Sequence, residues 1–241
     1  MKNHISLFIF AIALLSGPVS ANDLSMTAVK DTLASIPGEH NYIYVRTPLG
    51  EDEEKNYDEI TFYDGLGREL DFAQSYGADR AGAIMAHHHL IEYDSLGRKE
   101  KQWLSTNTSF SYMSPEDLKG GVLWDYHDAG KRSYLQTNYE SSPLNRITEQ
   151  YGVGDAWGDH PARMEYLTNI PADSLRCSFY FIDDNDSLIR RGDYRSGELQ
   201  VTKATDEDGK PTYTFVDKQG RTLLTRLGRG NQQADTYFVF D

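Results

Sequence analysis

From residue 60 onward the dominant signal along the chain is a period of two. Leu175, Cys177, Phe179 and Phe181 alternate with Arg176, Ser178 and Tyr180, and Tyr213 and Phe215 alternate with Thr212 and Thr214. Alternation sends one set of side chains to each face of an extended chain, so these runs predict half-buried strands. Turn residues punctuate them: Asp64-Gly65-Leu66-Gly67, Asp183-Asp184-Asn185-Asp186, Asp206-Glu207-Asp208-Gly209 and Asp217-Lys218-Gln219-Gly220. Strand, tight turn, strand predicts antiparallel hairpins. Helical signals are sparse. Met26, Val29 and Leu33 give a weak helical spacing in residues 22–38, and Ser114-Pro115-Glu116-Asp117-Leu118 predicts one capped turn that ends at Gly120-Gly121. Residues 121–158 alternate poorly and are expected to be irregular connection.

The N-terminus reads differently. Lys2 precedes an apolar run over residues 5–15, and Val19, Ser20 and Ala21 supply the small residues a signal peptidase needs, so residues 1–21 are expected to be a secretory signal peptide. Gly17-Pro18 interrupts the run well short of the ~20 apolar residues that span a bilayer, so no membrane span is expected after cleavage. Residues 22–40 then form a weakly structured leader, and residues 41–241 one β domain. The run Glu51-Asp52-Glu53-Glu54, with Asp58 and Glu59 following, is expected to be a solvated loop.

Composition narrows the function classes. The 241 residues carry a net charge of −13, which repels phosphate backbones and argues against nucleic acid as a partner. Sixteen Tyr, ten Phe and three Trp supply the core material that disordered chains lack. Cys177 stands alone, so no intramolecular disulfide forms even in an oxidising compartment; its parity with Phe179 and Phe181 makes it a small core residue.

One motif carries more information. Tyr63-Asp64-Gly65-Leu66-Gly67-Arg68 recurs as Tyr93-Asp94-Ser95-Leu96-Gly97-Arg98, and more loosely as Val216-Asp217-Lys218-Gln219-Gly220-Arg221. Each position has a physical reason: the aromatic ends a strand, the Asp accepts backbone N–H groups across the turn, the Gly adopts a left-handed conformation, and the Arg opens the returning strand within reach of the Asp.

With this motif the chain resembles the bacterial YD-repeat, or RHS-repeat, proteins, and in particular the uncharacterised domain that precedes the repeats in secreted members. The resemblance covers residues 41–241 through Asn41-Tyr42-Ile43, the two Tyr-Asp motifs, Tyr139-Glu140-Ser141-Ser142-Pro143-Leu144-Asn145-Arg146, Gly154-Asp155-Ala156-Trp157, Tyr166-Leu167-Thr168-Asn169, Thr205-Asp206-Glu207-Asp208-Gly209 and the third motif. It departs from the pattern at His87-His88-His89 and at Ser105. The resemblance implies an all-β fold of antiparallel hairpins of YD-repeat type, the start of a β shell or open sheet, with at most one or two short helices. It implies a partner in the downstream repeat shell of the parent protein, a location secreted or at the bacterial cell surface, and no catalytic residue. Because Phe240-Asp241 reads as the start of another aromatic-Asp turn, the chain is expected to be a fragment.

Other chemistry weighs less. His87 and His89 share a strand face, and with His127 or His160 could hold zinc, but no local spacing supplies a third ligand and solvated neutral imidazoles are expected. Gly65-Leu66-Gly67 and Gly152-Val153-Gly154 lack the third Gly and the following helix of a phosphate loop. No nucleophile elbow or His-Glu-x-x-His helix is present. No cofactor is therefore expected, and the sequence points to a non-catalytic structural segment. The alternative is an extracellular carbohydrate-binding β module stacking sugars on Trp103, Trp124 or Trp157. A glycan-degrading enzyme using paired carboxylates is the third and weakest reading.

Overall fold

The computed structural model describes residues 29–31, 33–34, 36–38, 40, 41–48, 56–78, 83–229 and 232–240. The expected signal peptide, the start of the leader and the acidic run at residues 51–54 lie outside them. The chain divides into two compact units between Leu135 and Gln136. Both are built from antiparallel strands in open sheets, and the described residues include two short helices. The all-β open-sheet architecture expected from the sequence is thus the one found.

The first unit is a meander of β1 (Asn41–Pro48), β2 (Asn56–Tyr63), β3 (Glu69–Ala78), β4 (Ile84–Tyr93) and β5 (Lys99–Trp103). Strand β4 forks: Met85 to His88 pair with β6 (Thr106–Ser109), and Ile91 to Tyr93 pair with β5. Period two decides what is buried. Ile60 and Phe62 of β2 and Ala73 of β3 face inward and are essentially inaccessible. In β4 the same parity buries Ala86, His88 and Leu90. Phe110 and Ile36 complete this core, and helical residues 29–31 and 33–34 belong to the same unit, with Val29 fully buried and Leu33 packed against the core.

Helix α1 (Pro115–Asp125) begins as expected, with the Ser114 hydroxyl accepting the Asp117 N–H at 3.1 Å, Pro115 in the first turn, and Glu116 and Asp117 at the positive end of the dipole. It does not end at Gly120-Gly121. Leu118 and Val122, one turn apart, are both buried and carry the helix through the glycines. Gly121 lies close against β6: a Cβ there would lie 2.7 Å from Thr106 Oγ1.

The second unit orders its strands as β7 (Tyr134–Tyr139, whose last four residues belong here), β8 (Ile147–Tyr151), β9 (Ala162–Thr168), β12 (Gln200–Thr205), β13 (Pro211–Val216), β14 (Thr222–Arg229) and β15 (Gln232–Tyr237). A separate ribbon pairs β10 (Ser178–Ile182) with β11 (Leu188–Asp193). Its core gathers Cys177, Leu199, Val201, Tyr213, Phe215 and Leu224. Strands β7 and β8 replace the irregular connection expected across residues 121–158. They have no fully buried side chain, so no apolar alternation marks them.

Candidate functional site

Among the described residues, the recurring Asp-x-x-Gly-Arg turn is the most strongly specified local structure. At residues 64–68 the Asp64 N–H donates to the Arg68 carbonyl (2.9 Å) and the Gly67 N–H to the Asp64 carbonyl (3.0 Å). Asp64 Oδ1 accepts the amides of Leu66 (2.9 Å) and Arg68 (3.0 Å), and Oδ2 accepts Arg68 Nε at 2.7 Å. Asp94 with Arg98, and Asp217 with Arg221, repeat every one of these bonds within 0.1 Å. Gly67, Gly97 and Gly220 sit at φ 77°, 81° and 81°, where a side chain strains the backbone.

The strands leaving these turns share an irregularity as well. Tyr63 pairs with Glu69, Tyr93 with Lys99 and Val216 with Thr222, and in each case the next residue of the returning strand is skipped. The hairpin is therefore a bulged one, with two residues opposing one. Three further turns relate to it. Tyr139 pairs with Ile147 across the same bulge, and Glu140 accepts Arg146 Nε and Nη2, both at 2.7 Å, over a longer loop. Asp183 caps its turn with Asp186 at φ 58° in the glycine position, and Asp206 does so with Gly209 at φ 76°. Sequence reading placed turns at Asp183 and Asp206 without tying them to the motif, because Ser187 and Lys210 stand where the arginine would be.

These carboxylates are engaged as acceptors. Burial works to raise Asp64, Asp94 and Asp217, but the amide and guanidinium hydrogen bonds outweigh it and hold all three below the ordinary carboxylate range. Glu140 is pulled down to about 2, chiefly by Arg146. Groups so occupied brace a turn.

A second feature is a set of buried polar and ionisable side chains that sequence reading missed. His88 and Asp71 have side chains 0% and 2% exposed. His88 Nδ1 lies 2.7 Å from Asp71 Oδ2, and Nε2 lies 3.0 Å from the Ser109 carbonyl. Both ring nitrogens thus face oxygen atoms of neighbouring strands. Asp71 Oδ1 has no hydrogen-bond partner. His87 and His89 share the other face of β4, as expected, but the strand's own parity puts His88 in the interior, which corrects the view of the histidine run as ordinary strand surface without a structural role.

Asp58, expected in a solvated loop, is buried in β2, where Tyr44 Oη (2.6 Å) and Arg46 Nε (2.7 Å) and Nη2 (3.0 Å) donate to it; burial first, then Asp58, pushes the Tyr44 hydroxyl well up. In the second unit Arg226, 4% exposed, donates to both Asp235 oxygens and to the carbonyls of Ser174 and Arg176, pinning the turn before Cys177 to β14. Cys177 is 1% exposed and burial pushes its thiol up to about 12, so it packs as a small apolar group.

The three tryptophans have separate environments. Trp103 donates its indole N–H to Glu92 at 3.0 Å and packs on Tyr134, with ring centroids 4.8 Å apart. Burial tends to raise Glu92, but Lys119 and Trp103 bring it below its ordinary value. Trp124 projects from α1, 83% exposed, and Trp157, 45% exposed, lies against Gly152. Among the described residues no three His, Cys, Asp or Glu side chains converge as metal ligands, and no helix is long and apolar enough to cross a membrane. An open hollow of about 510 Å³ lies beside the turn at Asp206, lined also by Thr212, Leu227 and Gly228.

No curated protein and no solved structure matches the chain. A family does: its model, described as "Domain of unknown function (DUF6443)", matches residues 41–168, just over half of the sequence. The turns at Asp64, Asp94 and Glu140 and the buried His88 and Asp71 all fall within that stretch, and the chain belongs to the DUF6443 family.

Proposed function

We propose that this chain is a non-catalytic structural segment of an exported RHS or YD-repeat protein, forming the N-terminal part of its β shell. The observation that carries this reading is the repetition of one bulged hairpin, with the same turn bonds at Asp64, Asp94 and Asp217. A device used three times, with its ionised groups paired to one another, builds a lattice of hairpins. The most chemically suggestive groups support the same reading, since His88, Asp71 and Cys177 are walled off from solvent. The partner in this reading is the repeat shell that follows. Fusing the full chain to a segment of YD repeats tests it: the fusion should melt higher and stay more soluble than the two parts mixed, and equal behaviour would count against it.

The second reading is a carbohydrate-binding module, favoured by the 83% exposure of Trp124. An exposed indole face suits a sugar ring. A glycan array read with the native protein and with Trp124→Ala separates the two readings, because the structural one expects no glycan signal from either.

A further inference from the structure

Three of the arginines that close turns have a second contact. Arg68 lies over the ring of Tyr93 with its guanidinium carbon 4.5 Å from the ring centre, Arg146 lies over Tyr166 at 4.6 Å, and Arg221 lies over Phe240 at 5.0 Å. In each case the aromatic belongs to the strand, or its continuation, that pairs with the strand the arginine opens. The register is the same each time. Extending the observed pairing of Asp71 with Leu90, Glu149 with Arg163 and Leu224 with Tyr237 by three residues puts each arginine directly opposite its aromatic. Two of the three carry a further tie. The Tyr93 hydroxyl donates to the carbonyl of Glu69 (2.6 Å) and the Tyr166 hydroxyl to that of Ile147 (3.1 Å), each the residue that follows the arginine. Phe240 has no hydroxyl to do so.

We propose that the arginine ending these three turns, Arg68, Arg146 and Arg221, is a recognition element between neighbouring hairpins, selecting as its next neighbour a strand that presents Tyr or Phe opposite it. The guanidinium is fixed in orientation by its own acid, so its face is already set when the next strand arrives. A planar cation held over an aromatic ring is attractive, and the hydroxyl tie admits one register only. A strand slipped by one residue would turn its aromatic to the other face and lose both contacts. Gly97 fits the same geometry, because a Cβ there would lie 3.0 Å from Arg68 Nη1. The proposal rests on the structural reading of the chain and names the chemistry by which one hairpin accepts the next.

Native-state amide exchange of the full chain, followed by NMR, tests it with three variants. Arg68→Lys keeps a charge for Asp64 but removes the planar face. The amides of β3 and β4 around Asp71 and Leu90 should then exchange about two- to tenfold faster, while the Leu66 and Gly67 amides of the turn stay as they were. Tyr93→Phe, which removes only the hydroxyl, should speed the same β3 and β4 amides by a smaller factor. Phe240→Tyr supplies the missing hydroxyl to the Thr222 carbonyl and should slow the Phe238 amide, which donates to Leu223, by about two- to tenfold. Faster exchange confined to the turn amides of Arg68→Lys would mean that the arginine serves its own turn alone and would overturn the proposal. So would an unchanged Phe238 amide in Phe240→Tyr. Neither outcome bears on whether the chain is catalytic or binds glycans, which the fusion and the array decide separately.

Discussion

Removing the imidazole of His88 should be among the most damaging single changes in the first unit. In His88→Leu the ring is replaced by an apolar side chain of similar size, so the cost is electrostatic and not mainly that of a cavity. Asp71 Oδ2 loses its 2.7 Å partner, Oδ1 has none already, and a carboxylate with 2% of its side chain exposed is left with no donor. Breaking a buried pair by deleting one member typically costs about 3–5 kcal/mol, and the Ser109 carbonyl left without its 3.0 Å donor adds about 1 kcal/mol. Against a typical total of about 5–15 kcal/mol, that is about a quarter or more of the stability of a domain. The double variant Asp71→Val with His88→Leu removes both partners and should return to within about 1–2 kcal/mol of the native protein, since apolar replacement of a whole buried pair is often neutral. Urea midpoints followed by tryptophan fluorescence give both numbers, with the slope checked for constancy. The reasoning fails if His88→Leu costs less than about 1 kcal/mol, or if the double variant costs the sum of the two singles, because either result means the groups are not coupled.

Three further outcomes are expected. Gly67→Ala and Gly220→Ala, at positive φ with open space around them, should each cost about 1–2 kcal/mol, and Gly97→Ala should cost more because its methyl also meets Arg68; equal melting shifts for the three would discard the steric part. Gly121→Ala drives a methyl onto Thr106 Oγ1, itself held at 2.7 Å by Asp125, and should destabilise by about 1–3 kcal/mol although alanine is the better helix former; a stabilised variant in thermal melts would show that α1 can move away. Burial holds His89 below the ordinary imidazole value of 6.5, so the folded state resists its protonation and stability should decline as pH falls below that value, then decline again as the depressed carboxylates of the turns protonate; urea midpoints that rise between pH 7 and 5.5 would refute the sign.

What the chain discloses and what it hides follow from one distinction. Turns are local: Asp64, Gly67 and Arg68 lie within five positions of one another, so the chemistry that ties them is written in adjacent letters. The helix start at Ser114-Pro115 is local in the same way. Its end is not, because burial of Leu118 and Val122 against the unit decides whether the chain continues through two glycines. Strands β7 and β8 escape notice for a related reason: with both faces partly exposed they owe their pairing to backbone bonds, which leave no alternation in side-chain character.

The histidine run shows the distinction most sharply. Three identical residues in a row carry no pattern of their own, so a solvated strand face and a buried pair look alike until the parity of β4 is fixed by Ala86 and Leu90. Once those two point inward, His88 must follow them, and a buried imidazole must find partners. Asp71 and Ser109, 17 and 21 positions away, supply them through pairings with β3 and β6 that no local signal encodes. The same logic explains why the arginine contacts stayed hidden. Arg68 and Tyr93 are 25 positions apart, Arg146 and Tyr166 are 20 and Arg221 and Phe240 are 19, so only a common register, visible when strands are laid side by side, reveals them as one device.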